Sequence, residues 1–304
     1  MALHRYRFRA MAAENEVQVH AATAERAAEC ASHAIAEVAR IEAKYSRYRP
    51  DSVVSRINAN AGREPVAVDE ETLKLLAYAG ACHEQSGGLF DPTSGVLRRA
   101  WRFDSGHVPD DAELAALLPL VDWDAVEIDG HHVRLGRAGM ELDFGGFGKE
   151  YAVDRAARVL AECGAEAALV SLAGDLCILG EQPGGAPWRV GVVHPRKGER
   201  AIAFIPVSSG AIATSGDYER FIEADGVRHC HILDPRTGRS ARGFQSVTVH
   251  APSCLVAGSA TTVAMLKGRE AGLAWLDALG LPYLAVLEDG AIVNRCEGVD
   301  APGW

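Results

Sequence analysis

The residues best suited to chemistry lie between Glu141 and Asp154, where the sequence reads Glu-Leu-Asp-Phe-Gly-Gly-Phe-Gly-Lys-Glu-Tyr-Ala-Val-Asp. A strand-like alternation leads through glycines into a helical pattern. Bare glycine backbone lets a phosphate-bearing ligand approach closely, and Lys149 supplies a compact cation at the helix entry. The spacing fits neither a GxGxxG fingerprint nor a Walker A loop. Taken alone, the segment fits equally well an ordinary strand-to-helix turn with a solvated lysine.

The elements around this segment alternate irregularly between helix and strand. Periodicity and capping signals predict helices at 23–45, 69–85, 109–118, 151–163, 258–266 and 270–279. Strands are predicted at 3–10, 17–20, 125–128, 133–135, 167–172, 188–193, 201–207 and 246–251, with a closing hairpin at 283–294. This order favours a mixed α/β (α+β) fold with partly antiparallel sheets over a doubly wound parallel sheet. No linker or repeat divides the chain, so we expect one domain spanning residues 1–304.

Composition limits the partners and the compartment. The 304 residues are 48% hydrophobic and 24% charged, and the net charge of −10 disfavours nucleic acid or anionic lipid as the main partner. The seven cysteines are scattered without a CxxC pair, which is typical of free thiols in a reducing compartment. No apolar run reaches the roughly 18 residues of a membrane span, and no secretory signal is recognisable. We therefore expect a cytoplasmic protein.

Further segments rich in glycine or acidic residues occur along the chain. They are Ser-Arg-Tyr-Arg-Pro-Asp-Ser at 46–52, Gly-Gly-Leu-Phe-Asp-Pro-Thr at 87–93, Ser-Leu-Ala-Gly-Asp at 171–175, Thr-Ser-Gly-Asp-Tyr-Glu-Arg at 214–220, His-Cys-His-Ile-Leu-Asp-Pro-Arg-Thr-Gly at 229–238, and Ala-Gly-Ser-Ala-Thr-Thr at 257–262. Taken together and in this order, these segments resemble the ApbE family, the FAD:protein FMN transferases. The resemblance extends from Met11 to about Leu266.

The resemblance implies a fold, a reaction and its participants. The fold would be a single compact domain with a flavin cleft between two lobes. FAD, as substrate, would be split at its pyrophosphate, and FMN would pass to a Thr or Ser hydroxyl of an acceptor protein with release of AMP. Mg²⁺ would assist this phosphoryl transfer by neutralising phosphate oxygens.

Individual residues take their expected roles from the matching motifs. The flavin-binding set implied by the resemblance is Met11, Tyr48, Gly88, Leu89, Phe90, Asp143, Lys149 and Ile232. The backbone carbonyl of Gly146 and the hydroxyl of Thr262 match metal-ligand positions, together with position 258. His231 is the expected proton acceptor for the incoming hydroxyl, and Lys149 is the expected catalytic cation.

Each role has a simpler alternative. Tyr48 could be a structural aromatic residue, Met11 a core residue and His231 a histidine packed for structure. Residues 234–238, Asp-Pro-Arg-Thr-Gly, also form a good type I turn, so part of that motif could serve folding only.

This chain departs from the family pattern at the expected metal site. The family's last motif usually reads Ala-Asp-Ala-x-x-Thr, with the Asp and the Thr on one helical face. Here Gly258 replaces that Asp and Thr262 is retained, while Glu150 stands where a glycine usually follows the lysine. The Met-Gly-Thr segment also differs, reading Met-Ala-Ala at 11–13. Three acids could supply the negative charge of the missing Asp: Glu150, Glu14 and Asp175. Glu150 could instead be an ordinary acid at a helix N-terminus.

The missing carboxylate leaves three functions open. The leading prediction is a Mg²⁺-dependent FAD:protein FMN transferase, supported by Lys149, His231 and Thr262. A flavin-binding protein without transferase activity is favoured by Gly258. A third possibility is a pyrophosphatase that cleaves FAD to FMN and AMP with water as the acceptor.

Overall fold

Antiparallel strands dominate the computed structural model, which describes residues 1–198 and 200–300. The helices are α1 Ala24–Tyr45, α2 Val53–Ala59, α3 Glu70–Ser86, α4 Asp111–Leu117, α5 Gly148–Glu162, α6 Cys254–Lys267 and α7 Arg269–Leu279. The strands are β1 Ala2–Ala10, β2 Ala13–Ala21, β3 Val66–Ala67, β4 Val126–Asp129, β5 His132–Leu135, β6 Ala168–Leu172, β7 Asp175–Leu179, β8 Trp188–Val193, β9 Ala201–Val207, β10 Gly210–Gly216, β11 Phe221–Ala224, β12 Val227–Cys230, β13 Phe244–Ala251, β14 Tyr283–Leu287 and β15 Ile292–Asn294. Short 3₁₀ turns lie at Pro92–Arg99, Leu118–Leu120 and Trp123–Ala125.

One eight-stranded sheet organises the molecule, with the order β1-β2-β6-β7-β10-β13-β14-β15. Every neighbouring pair in it is antiparallel. Helices α1, α5 and α6 cover one face, and the β8–β9 ribbon covers the other. Strand β6 shows why both faces are buried, because Val170 belongs to the helix-side core and Leu169 to the ribbon-side core. The predicted mixed α/β class is confirmed, and the strand pairs are more uniformly antiparallel than predicted.

Local capping chemistry sets the helix ends, as the sequence predicts. The Thr23 hydroxyl accepts the N–H of Arg26 at 3.3 Å and begins α1. The Asp69 carboxylate accepts the N–H of Thr72 at 3.0 Å and begins α3, which ends where Gly87 adopts φ 71°. Within residues 1–198 and 200–300, no helix combines the length and apolar character needed to cross a bilayer.

Some elements were not predicted from the sequence, namely α2, β3, β7, β10 and the β11–β12 hairpin. Strand β10, Gly-Ala-Ile-Ala-Thr-Ser-Gly, has little intrinsic strand preference. It forms because β7 and β13 pair with it on both sides, so tertiary context overrides local propensity. Helix α6 begins at Cys254, four residues before the predicted start at Gly258, because Ser253 caps it.

The turn between β1 and β2 holds two non-glycine residues in left-handed backbone. Met11 has φ 52° and Ala12 has φ 60°, as a two-residue type I′ hairpin turn requires. Asn15 secures this turn: its amide donates to the Ala10 carbonyl at 2.9 Å and accepts the N–H of Ala173 at 3.1 Å. The turn is thereby tied to the loop before Asp175.

Replacing Ala12 by glycine is expected to stabilise the protein. An L-residue in left-handed backbone costs about 1–2 kcal/mol, and the added freedom of glycine in the unfolded chain cancels part of the relief. We expect the free energy of unfolding to rise by about 0.5–1 kcal/mol, measured by urea denaturation. The matched control is Ala13→Gly in β2, which should lower it; equal losses for both variants would contradict the prediction.

Candidate functional site

The predicted glycine turn joins a buried aromatic base to helix α5. Phe144 and Phe147 are buried, with ring centroids 4.7 Å apart, while Gly145 and Gly146 are exposed. Helix α5 begins at Gly148, earlier than predicted, and no side chain caps it. The two phenylalanines therefore anchor the turn from below and leave the glycine backbone open on the other side.

Lys149 meets two carboxylates directly after this turn. Its ammonium group forms an ion pair with Asp175 at the start of β7, and its Nζ lies 3.6 Å from Oε1 of Glu150. Asp175 is buried, and its Oδ1 also accepts the N–H of Thr214 in β10 at 2.9 Å. One carboxylate thus links the start of α5 to two central strands of the sheet.

The same site continues to helix α6 through hydroxyl groups. Oγ of Ser215 lies 2.9 Å from Oγ1 of Thr261 and 3.3 Å from Oγ1 of Thr262. The Thr261 hydroxyl donates to the carbonyl of Gly258 at 2.9 Å. We call Lys149, Glu150, Asp175, Ser215 and Thr262 the Lys149 network. The structure therefore brings together four segments that are apart in the sequence: the starts of α5 and β7, strand β10 and helix α6.

The charges in this network shift each other's proton affinity. Burial alone would lower the pKa of Lys149, but the charges of Glu150 and Asp175 raise it above its ordinary value. Burial raises the pKa of Glu150; the charge of Lys149 opposes this rise and that of Asp175 adds to it. Lys149 is therefore a fixed cation, and the two carboxylates compete for it.

A second charged cluster involves the predicted residues Asp143 and Tyr48. Arg47 forms an ion pair with Asp143, and its guanidinium donates to the Tyr48 hydroxyl at 2.8 Å. Asp143 also accepts the N–H of Gly145 at 2.9 Å. Tyr48 is 74% exposed, and the Arg47 guanidinium lies over its ring, 4.9 Å from the centroid. Arg47 is not among the residues predicted from the sequence, although its position beside Tyr48 is a usable signal.

The predicted groove residues approach the glycine turn from α3. Gly88 has φ 84°, and Leu89 and Phe90 are both buried. A Cβ at Gly146 would lie 3.5 Å from the Phe90 ring, so this ring packs under the turn. The bulk of Phe90 is in the core, and its contribution to ligand binding stays a prediction.

His231 and Ile232 follow β12 directly. The His231 N–H donates to the carbonyl of Arg220 at 3.0 Å, and Ile232 is buried. His231 is exposed, yet neighbouring atoms partly desolvate its ring and lower its pKa. A carbonyl of Arg220 opposes this shift, and the charges of Arg220 and Lys149 reinforce it. His231 is therefore neutral near pH 7, the form that accepts a proton.

Two predicted residues lie at the β1–β2 hairpin. The Met11 N–H donates to Glu42 at 2.7 Å, and its side chain packs against the main core. Glu14 is exposed on β2, where it pairs in register with Arg9. Of the three acids considered as replacement charges, the structure thus places Glu150 and Asp175 in the Lys149 network.

Asp154 positions α6, a role that was not predicted from the sequence. Its carboxylate accepts the N–H groups of Cys254 and Leu255 at 2.7 and 3.0 Å. These are the first residues of α6, whose N–H groups have no partner within the helix. Since Thr262 lies on α6, this contact holds the hydroxyl end of the Lys149 network in place.

Replacing Asp154 by alanine is expected to lower the free energy of unfolding by about 2–3 kcal/mol, because two hydrogen bonds to a charged group are lost. Ser253→Ala removes the other cap of α6, a single 3.3 Å bond to Val256, and should cost about 1 kcal/mol. Urea denaturation compares the two variants. If Asp154→Ala costs no more than Ser253→Ala, the positioning role is wrong.

The donor chemistry of the Lys149 network fits a hard divalent cation. Glu150, Asp175 and Thr262 offer oxygen atoms, which Mg²⁺ prefers. Oε2 of Glu150 is buried and has no hydrogen-bond partner. Within the described residues, no group of three or more His, Cys, Asp and Glu side chains is arranged to hold a metal. Since both oxygens of Asp175 already have partners, a cation here would be held by the free carboxylate oxygen of Glu150, neutral oxygens and groups of the substrate.

Two surface cavities lie away from this site. A cavity of about 520 Å³ is lined by residues such as His250, Tyr283 and Arg295, and one of about 270 Å³ lies beside Asp217 and Arg228. Neither is lined by residues of the Lys149 network.

Comparison with known proteins assigns the class. The family model described as "ApbE family" matches residues 11–285. Since this match covers most of the sequence, the chain belongs to the ApbE family. This confirms the resemblance seen in the ordered motifs.

Named relatives agree with that class. The FAD:protein FMN transferase of Treponema pallidum is 34% identical over 282 residues, covering 84% of this chain and 78% of the relative. The Vibrio cholerae protein of the same name is 34% identical, covering 80% and 75%. Among solved structures, the ApbE protein from Thermotoga maritima superposes with a TM-score of 0.89 at 35% identity, covering 97% of each chain. The flavin transferase ApbE from Vibrio cholerae gives 0.85 at 28% identity, covering 98% of this chain and 97% of that one.

Proposed function

We propose that this protein transfers FMN from FAD to a Thr or Ser hydroxyl of an acceptor protein and releases AMP. The observation that carries the proposal is the Lys149 network, which collects a cation, two carboxylates and hydroxyl groups beside an open glycine turn. Proteins named FAD:protein FMN transferase are its relatives, which supports the choice of FAD as substrate.

The transfer exchanges the phosphoanhydride bond of FAD for a phosphate ester bond to the acceptor. The acceptor hydroxyl oxygen bonds to the FMN phosphorus of FAD, and the bond from that phosphorus to the bridging oxygen breaks. AMP leaves with the bridging oxygen, and the hydroxyl proton passes to His231. Neutral His231 is suited to this role because its pKa lies below its ordinary value.

Lys149 and the glycine turn would receive the phosphates. Lys149 stays cationic and offsets the negative charge that builds up as the bridging oxygen leaves. The exposed backbone of Gly145 and Gly146 allows a close approach. Asp143, held by Arg47, is proposed to meet a polar part of FAD.

The flavin would lie between two groups of side chains. Tyr48 is exposed, and Gly88, Leu89 and Phe90 are proposed to line the groove. Met11 and Ile232 are the remaining members of the proposed flavin set. The flavin cleft between two lobes stays part of this proposal.

Mg²⁺, when bound, would neutralise phosphate oxygens. The Gly146 carbonyl and the Thr262 hydroxyl are proposed as neutral ligands. Gly258 provides no side-chain ligand, and its carbonyl already accepts the Thr261 hydroxyl.

The other two functions make different products. A flavin-binding protein would retain FAD unchanged, and a pyrophosphatase would give FMN and AMP without an acceptor. The buried acid Glu150 supports the transferase over the binding protein, because a carboxyl group lies beside Gly258. The cytoplasmic location stays a prediction, supported by seven free thiols.

One incubation separates these functions. The purified protein is mixed with FAD, Mg²⁺ and a flavin-acceptor domain that carries a target Thr, and the acceptor mass is measured. A mass gain equal to FMN, lost with EDTA and with a Thr→Ala acceptor, is expected. Unmodified acceptor with AMP production would establish the pyrophosphatase, and unmodified acceptor with intact bound FAD would establish the binding protein.

A further inference from the structure

The side chain of Glu150 fills the space beside Gly258, between α5 and α6. A Cβ built at Gly258 would lie 2.5 Å from Cγ of Glu150 and 3.0 Å from its Oε1. Real Cβ atoms essentially never approach another atom so closely. The glutamate side chain therefore occupies the space that a side chain at position 258 would need.

Glu150 does not behave as an ordinary acid at a helix N-terminus. Such an acid gains from the helix dipole while remaining in water. Glu150 is only 6% exposed, and its Oε2 has no hydrogen-bond partner. Its Oε1 is 3.6 Å from Lys149 Nζ, too far for a hydrogen bond. A buried carboxylate with a free oxygen is costly unless it takes up a proton, which burial favours here, or a cation binds it.

The direction of the Glu150 side chain indicates which kind of ligand its carboxylate binds. Glu150 extends from α5 to the α6 position one turn before Thr262, whose hydroxyl is half-buried and near Ser215. Positions 258 and 262 are four residues apart and share a helical face. The Glu150 carboxylate on α5 thus lies where a side chain at position 258 of α6 would otherwise lie.

We infer that Glu150 is the carboxylate ligand of a divalent cation at the α5–α6 junction. The absence of a side chain at Gly258 leaves the space that the Glu150 side chain needs. This inference deepens the proposed function and rests on it for the identity of the cation, Mg²⁺ or Mn²⁺. Glu150 and Gly258 then form a pair whose members are replaceable only together.

The test is a double-mutant cycle with metal binding as the readout. Mn²⁺ titrations followed by EPR, with and without saturating FAD, are compared for the unmodified protein, Glu150→Gln, Glu150→Gly, Gly258→Asp and the double variant E150G/G258D. Flavin fluorescence and thermal melting confirm that each variant folds and binds FAD. Glu14→Gln, an exposed acid on β2, is the matched control.

We expect Glu150→Gln and Glu150→Gly to weaken Mn²⁺ binding by about 100-fold while FAD affinity changes little. Gly258→Asp should also weaken binding and lower the melting temperature, because its side chain meets Glu150. The double variant should recover to within about tenfold of the unmodified protein, and Glu14→Gln should match it.

Two results would overturn the inference: Mn²⁺ binding by Glu150→Gln equal to that of the unmodified protein, or a double variant no better than its weaker parent. Failure of the proposed function looks different. In that case the unmodified protein leaves the acceptor mass unchanged, while the pattern of Mn²⁺ affinities still follows Glu150 and position 258.

Discussion

Replacing His231 by glutamine is expected to slow FMN transfer by about 1000-fold while FAD binding is retained. General bases typically contribute about 10²- to 10⁴-fold to a proton-transfer step. Glutamine keeps much of the size and polarity of histidine but cannot take up the proton of the acceptor hydroxyl. The measurements are the single-turnover rate of acceptor mass gain and FAD affinity by flavin fluorescence.

The pH profile distinguishes a base from a structural histidine. Because desolvation, Arg220 and Lys149 lower the pKa of His231, its neutral form persists below the ordinary histidine value of about 6.5. The transfer rate should therefore be constant around pH 7 and fall only at more acidic pH, as the ring becomes protonated. In His231→Gln this acid limb should disappear.

His229→Gln is the matched control. His229 lies on β12 next to His231, but its ring packs on Trp101 with centroids 5.5 Å apart. Its replacement should change the transfer rate by less than about threefold. Equal rates for His231→Gln and the unmodified protein would remove His231 from the mechanism.

Replacing Asp175 by asparagine is expected to lower the free energy of unfolding by about 2–3 kcal/mol. Breaking a buried ion pair by removing one partner typically costs about 3–5 kcal/mol. Two effects reduce that figure here: Lys149 keeps 27% side-chain exposure, and repulsion between Asp175 and Glu150 is relieved. The loss of the Lys149 contact still dominates, because Asp175 is 4% exposed and also holds Thr214.

Urea denaturation of Asp175→Asn, Lys149→Met and the double variant measures this coupling. The double variant should cost less than the sum of the two single variants. Glu162→Gln is the control. The side chains of Glu162 and Arg158, which form an ion pair, are 59% and 69% exposed, so this pair should contribute less than about 0.5 kcal/mol. If Asp175→Asn lowers the free energy of unfolding by less than about 1 kcal/mol, the Lys149 network does not support the fold.

Long elements with local end signals were predictable from the sequence. Helices α1 and α3 carry their own caps, Thr23 and Asp69, and strands β8 and β9 carry their own alternation. Strand β10 was not predictable in this way, since its residues have weak local preferences and it forms because β7 and β13 pair with it. Helix α2 carries an N-cap, Ser52, whose hydroxyl accepts the N–H of Ser55 at 3.0 Å, but its seven residues are too few to show a clear helical period.

Sequence alone determined the family, the order of its motifs and the list of candidate site residues. These are properties of residue type and spacing, and the family match confirms the class. The loss of an acid at Gly258 and the gain of one at Glu150 were likewise visible in the sequence.

Only the tertiary structure decided which of those residues meet. It joined Arg47 to Asp143, placed Asp154 under the start of α6, and put the Glu150 side chain in the volume above Gly258. Positions 150 and 258 are distant in sequence, and no local periodicity relates two helices. Their relation follows from the packing of α5 and α6 on one sheet, where burial and excluded volume allow one side chain to fill the space that the other leaves.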